Sequence, residues 1–124
     1  MKPKGTILVV DDERSVRDAT ADVLRRAGYE VLEAHSGSSA LELLKGHEGA
    51  IDLLLTDVQM QRMDGGELAE AVQAAQPGVR VLFMSGYTGG AALHDSVRDE
   101  GVNFIAKPFV SEMLLRKIRA VLKG

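Results

Sequence analysis

The sequence predicts an α/β domain: a doubly wound, five-stranded parallel sheet in the order 2-1-3-4-5, with helices on both faces. Three observations carry the prediction. Short apolar runs alternate regularly with stretches of helical periodicity, as βαβ units do. The runs are close to continuously apolar, which suits strands covered on both faces. The 124 residues suffice for one ordinary domain, and right-handed crossovers leave few ways to arrange five such units in it.

Each element has its own signature. Ile7-Leu8-Val9-Val10 is β-branched and followed at once by acids, so it reads as a buried strand. Residues 14–27 set Val16, Thr20, Val23, Leu24 and Ala27 on one helical face, and Gly28 caps the end. Residues 30–34 form a weaker second strand. Ser36 caps a short helix carrying Ala40, Leu41 and Leu44, closed by Gly46. Residues 52–56 make the third strand. A polar loop over 57–66 leads to a helix with Leu68, Val72 and Ala75, which ends before Pro77-Gly78. Residues 80–84 are the fourth strand, broken by Ser85-Gly86, and an alanine-rich helix is expected over 91–100, stopped by Gly101. Residues 103–106 are the fifth strand, ended by Lys107-Pro108. Ser111 is expected to cap the last helix, whose Leu114, Leu115, Ile118, Val121 and Leu122 form a broad apolar face. The order is flavodoxin-like, and it brings the ends of the first and third strands together at the switch point where ligands bind.

Composition narrows the function classes. The chain has no cysteine, which excludes disulfide frameworks, thiolate zinc sites and cysteine nucleophiles. Hydrophobic residues make up 45% and charged ones 27%, as in a folded globule. No apolar run approaches the roughly 18 residues of a membrane span, and the amino terminus lacks a signal-peptide stretch, so the cytosol is the default compartment. A formal charge of −3 argues against nucleic acid or a membrane surface as the direct partner. Residues 1–5 read as a short leader and 6–124 as the domain.

The residues that follow the strands gather on one edge of the sheet. The first strand contributes Asp11-Asp12-Glu13, the third Asp57, the fourth Ser85 and the fifth Lys107; the marginal second strand contributes His35. Singly, each has an ordinary reading: Asp11 and Asp12 as helix caps, Asp57 and Ser85 as turn or cap residues, Lys107 as a surface charge. Together, Asp11, Asp12 and Asp57 converge at the switch point, where like charges call for a cation. Oxygen ligands without His or Cys, with room for water, suit Mg²⁺. With Lys107 and Ser85 facing the same point, such a site can stabilise a phosphoryl group in transfer, and a carboxylate can be its nucleophile. The central position nominates Asp57.

With these residues in place the chain resembles the receiver domain of bacterial two-component response regulators, from Ile7 to Leu122. The resemblance is carried by Val9-Val10-Asp11-Asp12-Glu13, Leu55-Thr56-Asp57, Met60 with Met63-Asp64-Gly65, Met84-Ser85-Gly86 and Phe104-Ile105-Ala106-Lys107-Pro108-Phe109. It implies a signalling switch rather than an enzyme. Asp57 matches the acceptor of phosphate from a histidine kinase or histidine phosphotransfer protein. Asp12 matches a direct Mg²⁺ ligand, Asp11 an acid acting through water, and Gln59 a ligand through its main-chain carbonyl. Lys107 matches the lysine that pairs with a phosphoryl oxygen, and Ser85 the hydroxyl that moves to bond it. Phe104 matches the aromatic switch, and the Lys107-Pro108 bond is implied to be cis. A face made by the fourth helix, fifth strand and last helix is implied as a surface for a homodimer or a downstream protein.

Two departures stand out: Gln61 where the family usually has proline, and Phe104 in place of the frequent tyrosine, which excludes a phenolic hydrogen bond from the switch. The run from Leu82 to Thr88 looks more like receivers fused to hybrid histidine kinases than those fused to DNA-binding modules. Two other classes compete. A phosphohydrolase of the haloacid dehalogenase type also uses an aspartyl nucleophile and Mg²⁺, but it wants an Asp-x-Asp pattern after the first strand and acids after the fourth. A flavodoxin-like mononucleotide binder would not load its switch point with carboxylates. Tyr87 reads equally as an exposed loop aromatic or as a shield that slows phosphoryl loss. His35, His47 and His94 are scattered and take no role. Arg25, Arg26, Arg116, Lys117, Arg119 and Lys123 read as solvated helix faces, and Met113 and Leu115 as core.

Overall fold

The computed structural model describes residues 4–60, 62–85 and 103–123. Its strands are β1 (Thr6–Val10), β2 (Glu30–Ala34), β3 (Leu53–Asp57), β4 (Arg80–Ser85) and β5 (Asn103–Ala106). Its helices are α1 (Arg14–Arg26), α2 (Gly37–Gly46), α3 (Gly65–Ala75) and α4 (Ser111–Lys123). The strands pair in parallel in the expected order, β2-β1-β3-β4-β5. Gln61, Tyr87, His94 and the helix expected over 91–100 lie outside the described residues.

Continuous apolar runs follow from the two covered faces. Alternate side chains of β1 and β3 enter different cores. Ile7, Val9, Leu53 and Leu55 pack with Ala21 and Leu24 of α1 and with Leu114, Ile118 and Val121 of α4. Leu8, Val10 and Leu54 pack with Ala40 and Leu44 of α2 and with Leu68, Ala69 and Val72 of α3. Each fully buried leucine or valine contributes about 1.5–3 kcal/mol. The central strands are thereby fixed, and so are the side chains at their ends.

The helix ends explain how the chain turns at each edge. Gly28, at φ +101°, closes α1. Its N–H donates to the Arg25 carbonyl at 3.0 Å, and the Tyr29 N–H donates to the Leu24 carbonyl at 3.1 Å. That is a Schellman motif, and Tyr29 and Leu24 share the same core. Ser36 caps α2 in a reciprocal box with Ser39. A second box, Asp64 with Glu67, starts α3.

Several expectations shift. Ser111 is the first residue of α4 rather than its cap; the Val110 carbonyl accepts the first helical bond, from the Leu114 N–H at 3.1 Å. Ala75 is exposed, and Ala69 takes the expected place in the α3 core. Met113 is 57% exposed, whereas Leu115 packs against the core as expected. Arg25 is more than a solvated charge, because its guanidinium joins Glu33 at 2.9 Å and the Val31 carbonyl at 3.1 Å. Both β3 and β4 run one residue beyond the expected ends, because Asp57 stays in register with Met84 and Ser85 with Ala106.

Candidate functional site

That extra residue sets the geometry of the carboxyl edge. Asp57 and Ser85 leave from the last paired positions of central strands rather than from loose loops. Lys107 follows β5 directly, and its N–H donates to the Ser85 carbonyl, joining the two strand ends at 2.6 Å. The Lys107-Pro108 bond is cis.

The Lys107 ammonium bridges two acids. Nζ lies 2.7 Å from Asp11 Oδ2 and 3.1 Å from Asp57 Oδ2. Asp11 is completely buried, and its hydrogen-bonding groups are engaged. Oδ2 takes Lys107, Oδ1 accepts the Glu13 N–H at 2.9 Å, the main-chain N–H donates to Ala34 at 3.2 Å, and the carbonyl accepts from Arg17 at 2.8 Å. Asp11 therefore does not cap α1; Glu13 holds that position without a side-chain cap bond. Asp12 is exposed beside it. Asp57 is largely enclosed, and its Oδ1 accepts the Gln59 N–H at 3.3 Å.

Among the described residues, Asp11, Asp12 and Asp57 form a group able to hold a metal ion, with ligand oxygens within 4.8 Å of one another. Its charge balance is incomplete. Burial pushes the Asp57 carboxyl above the usual carboxylate range, Lys107 opposes the shift, and Asp11 adds to it. Burial also works against the Lys107 ammonium, but the hydrogen bond to Asp11 and the charges of Asp57 and Asp11 outweigh it and hold its pKa above the usual lysine range. Among the described residues three carboxylates thus face one lysine, and the donor set is all oxygen. A hard divalent cation fits that set, because it supplies the missing charge without needing a nitrogen or sulfur ligand.

The described residues between β3 and α3 fold tightly against Asp57. The Gly65 N–H donates to the Val58 carbonyl at 2.8 Å. A methyl group at position 65 would collide with the Asp57 carbonyl oxygen and lie 3.0 Å from the Val58 Cα. Glycine is needed here for close approach rather than for an unusual φ. Arg62, in the same loop, adopts the left-handed region at φ 72°.

The structure brings Asp11, Asp12, Asp57 and Lys107 together as the sequence led us to expect. Ser85 is buried at the end of the neighbouring strand, and Phe104 is 40% exposed on β5. The main chain of Gln59 borders Asp57. His35 is exposed and His47 half-buried, and neither belongs to the acid group. Sequence reasoning missed Arg17 and the steric role of Gly65. Gly65 stood inside a quoted motif; Arg17 carried only its spacing, six residues after Asp11.

Comparison with known proteins gives the chain a family. The response regulator receiver domain family matches residues 7–119. The sensor kinase CckA of Brucella abortus is 34% identical over 119 residues, which cover 96% of this chain but 13% of that protein. The response regulator receiver protein CpdR of the same organism is 34% identical over 116 residues, 94% of this chain and 95% of that protein. The CAI-1 autoinducer sensor kinase/phosphatase CqsS of Vibrio cholerae is 36% identical over 117 residues, 17% of its length. The chain thus spans under a fifth of the two sensor kinases and nearly all of CpdR. In structure, the receiver domain of the hybrid histidine kinase CckA superposes with a TM-score of 0.79 at 36% identity, covering 95% of this chain and 99% of that one. Since the match runs from β1 through most of α4, the chain belongs to the family of response regulator receiver domains.

Proposed function

We propose that Asp57 accepts a phosphoryl group from a phosphohistidine of a histidine kinase or histidine phosphotransfer protein, and that the domain hands the phosphorylated state on to a partner. The observation that carries this reading is the position of Asp57, enclosed among Asp11, Asp12 and Lys107, where the described residues supply too little positive charge to balance the acids. A carboxylate held in that way has a nucleophilic oxygen and a ready-made seat for an incoming anion with its counterion.

In this reading an Asp57 oxygen forms the new P–O bond as the P–N bond to the donor imidazole breaks, the ring nitrogen keeping the bonding pair. Asp12, Asp57 and the main-chain carbonyl of Gln59 would hold Mg²⁺, with Asp11 acting through water. The ion would neutralise charge on the phosphoryl oxygens. Both Asp11 carboxylate oxygens already have partners, which favours the indirect role for Asp11. Lys107 pairs with a phosphoryl oxygen, and Ser85 moves to bond another. Phe104, three residues before Lys107, turns inward and changes the face of β5 and α4. Exposed Phe104, Val110 and Met113 give that face the apolar surface that a homodimer or downstream protein would cover. Residues 6–124 would form the switch, working in the cytosol where ATP-driven kinases make the donor. Among the described residues no helix is long and apolar enough to cross a membrane.

The test is incubation with Mg²⁺ and acetyl phosphate, followed by intact mass. The expected result is one added phosphoryl group that is labile to base and missing in Asp57→Asn. Labelling that persists in Asp57→Asn would overturn the reading, and sustained turnover of a phosphate ester would point to a hydrolase.

A further inference from the structure

We propose that Arg17 is a positioning residue for the acid pair, holding the Asp11–Asp12 peptide in the orientation that Mg²⁺ binding requires. The inference rests on the metal-dependent reading above and goes beyond it to a residue outside the acid cluster. Arg17 lies in the first turns of α1 with its side chain only 15% exposed. One guanidinium nitrogen donates to the Asp11 carbonyl oxygen at 2.8 Å. Nε lies 3.8 Å from Glu33 Oε1 on β2. The other Glu33 oxygen takes Arg25 at 2.9 Å, and Arg25 also holds the Val31 carbonyl. Glu33 is thus gripped by two α1 arginines, and Arg17 is the one that reaches the site.

The peptide bond carries the effect. The Asp11 carbonyl, the Asp12 N–H and the Asp12 Cα lie in one plane. Holding the carbonyl oxygen fixes that plane, and with it the point from which the Asp12 side chain leaves. Asp11 is clamped independently through Lys107, Glu13 and Ala34. Asp12 is exposed, so its direction depends on the peptide behind it. A planar guanidinium serves here because it grips a carbonyl and a carboxylate together, which a lysine ammonium does with less directional control.

The experiment is calorimetric titration of the full chain with Mg²⁺ alone, beside backbone-amide NMR of Asp12 and Glu13. The wild-type protein should bind one ion. Arg17→Ala should weaken binding by about tenfold, the low end of what outer-shell partners of a metal site contribute, and shift the Asp12 and Glu13 amides in the metal-free state. Glu33→Gln, which loosens Arg17 and also weakens the Arg25 pair but leaves the α1 sequence intact, should weaken binding by a smaller factor in the same direction. Phosphorylation by acetyl phosphate should need more Mg²⁺ in Arg17→Ala yet approach the wild-type rate at saturation. Wild-type binding that is unchanged in both folded variants would overturn the role of Arg17. Failure of the wild-type protein to bind Mg²⁺ would instead overturn the metal reading on which it rests.

Discussion

The two ends of β3 carry the same residue type to different purposes. Asp52 stands just before the strand and Asp57 is its last residue. Asp52 fastens chains. Its carboxylate accepts the Thr6 N–H at 2.7 Å, its own N–H donates to the Thr6 carbonyl at 2.9 Å, and its carbonyl accepts the Arg80 N–H at 3.0 Å. Asp57 instead meets a lysine and two further acids. The two aspartates flank the same apolar run, so the difference lies in what parallel topology delivers at each end. At the carboxyl edge the strand ends bring their loops, and the helices begin there with the dipole end that favours anions. At the other edge the helices finish. A carboxylate becomes reactive through its neighbours, and those neighbours are distant in sequence.

Substitution at the two positions should separate the roles most sharply. Asp57→Asn is expected to abolish phosphoryl labelling while making the metal-free protein more stable, by about 1 kcal/mol, since it relieves a crowded and buried charge. Asp52→Asn should label like the wild type and lose about 1 kcal/mol through a weakened bond to the Thr6 N–H. Intact mass after acetyl phosphate treatment and urea denaturation measure both. An Asp57→Asn protein less stable than the wild type would mean that its ion pair with Lys107 outweighs the crowding.

The cations at the two edges offer the next contrast. Lys107→Ala leaves the fully buried Asp11 without its ammonium partner and should cost about 3 kcal/mol in metal-free buffer. Mg²⁺ should stabilise this variant by more than the wild type, to which an ion bound to the folded state alone adds about 2.7 kcal/mol at a hundred times its Kd, because in the variant the ion meets acids that no ammonium neutralises. Arg80, at the opposite edge, donates to the Val121 carbonyl of α4 at 2.8 Å. Arg80→Ala should cost about 1 kcal/mol, with no recovery attributable to Mg²⁺ beyond that of the wild type. Denaturant midpoints of the wild type and both variants with and without Mg²⁺ decide it; a gain in Lys107→Ala no larger than the wild-type gain would show that the ion does not stand in for the ammonium.

What could be read in the sequence divides along similar lines. Strand positions and order were legible because buried parallel strands leave uninterrupted apolar runs, and because acids, Ser85 and Lys107 appear at the same point after each run. The burial of Ala69 rather than Ala75 was less legible, since an alanine-rich helix offers little contrast between its faces. Ser111 was taken for a cap on residue type, yet Val110 holds that position because the helix starts one residue earlier. Arg17 was illegible for another reason. Its partner is a main-chain carbonyl, which every residue possesses, so no pairing of side-chain types could announce it. Gly65 belongs to the Met63-Asp64-Gly65 motif, but the collision that requires glycine exists only once the chain is folded against Asp57.

The smallest expected effect is the pH dependence of the Asp57 end. Burial, aided by Asp11 and opposed by Lys107, raises the pKa of Asp57 in the folded protein above its unfolded value. Between those two values the folded state binds more protons than the unfolded one, so this group's contribution to stability falls as pH rises through the window. Acidification should therefore relieve strain at Asp57, with the relief complete below the unfolded pKa. Lys107 does not blur the comparison there: its raised pKa gives stability that is fully present below the ordinary lysine range and lost only as pH rises through the folded value. The stability gap between metal-free Asp57→Asn and wild type should consequently narrow as pH falls from neutrality towards about 4. Urea denaturation of the two proteins across that range measures the gap. A gap that widens on acidification would mean that the Lys107 pair, rather than burial, governs Asp57.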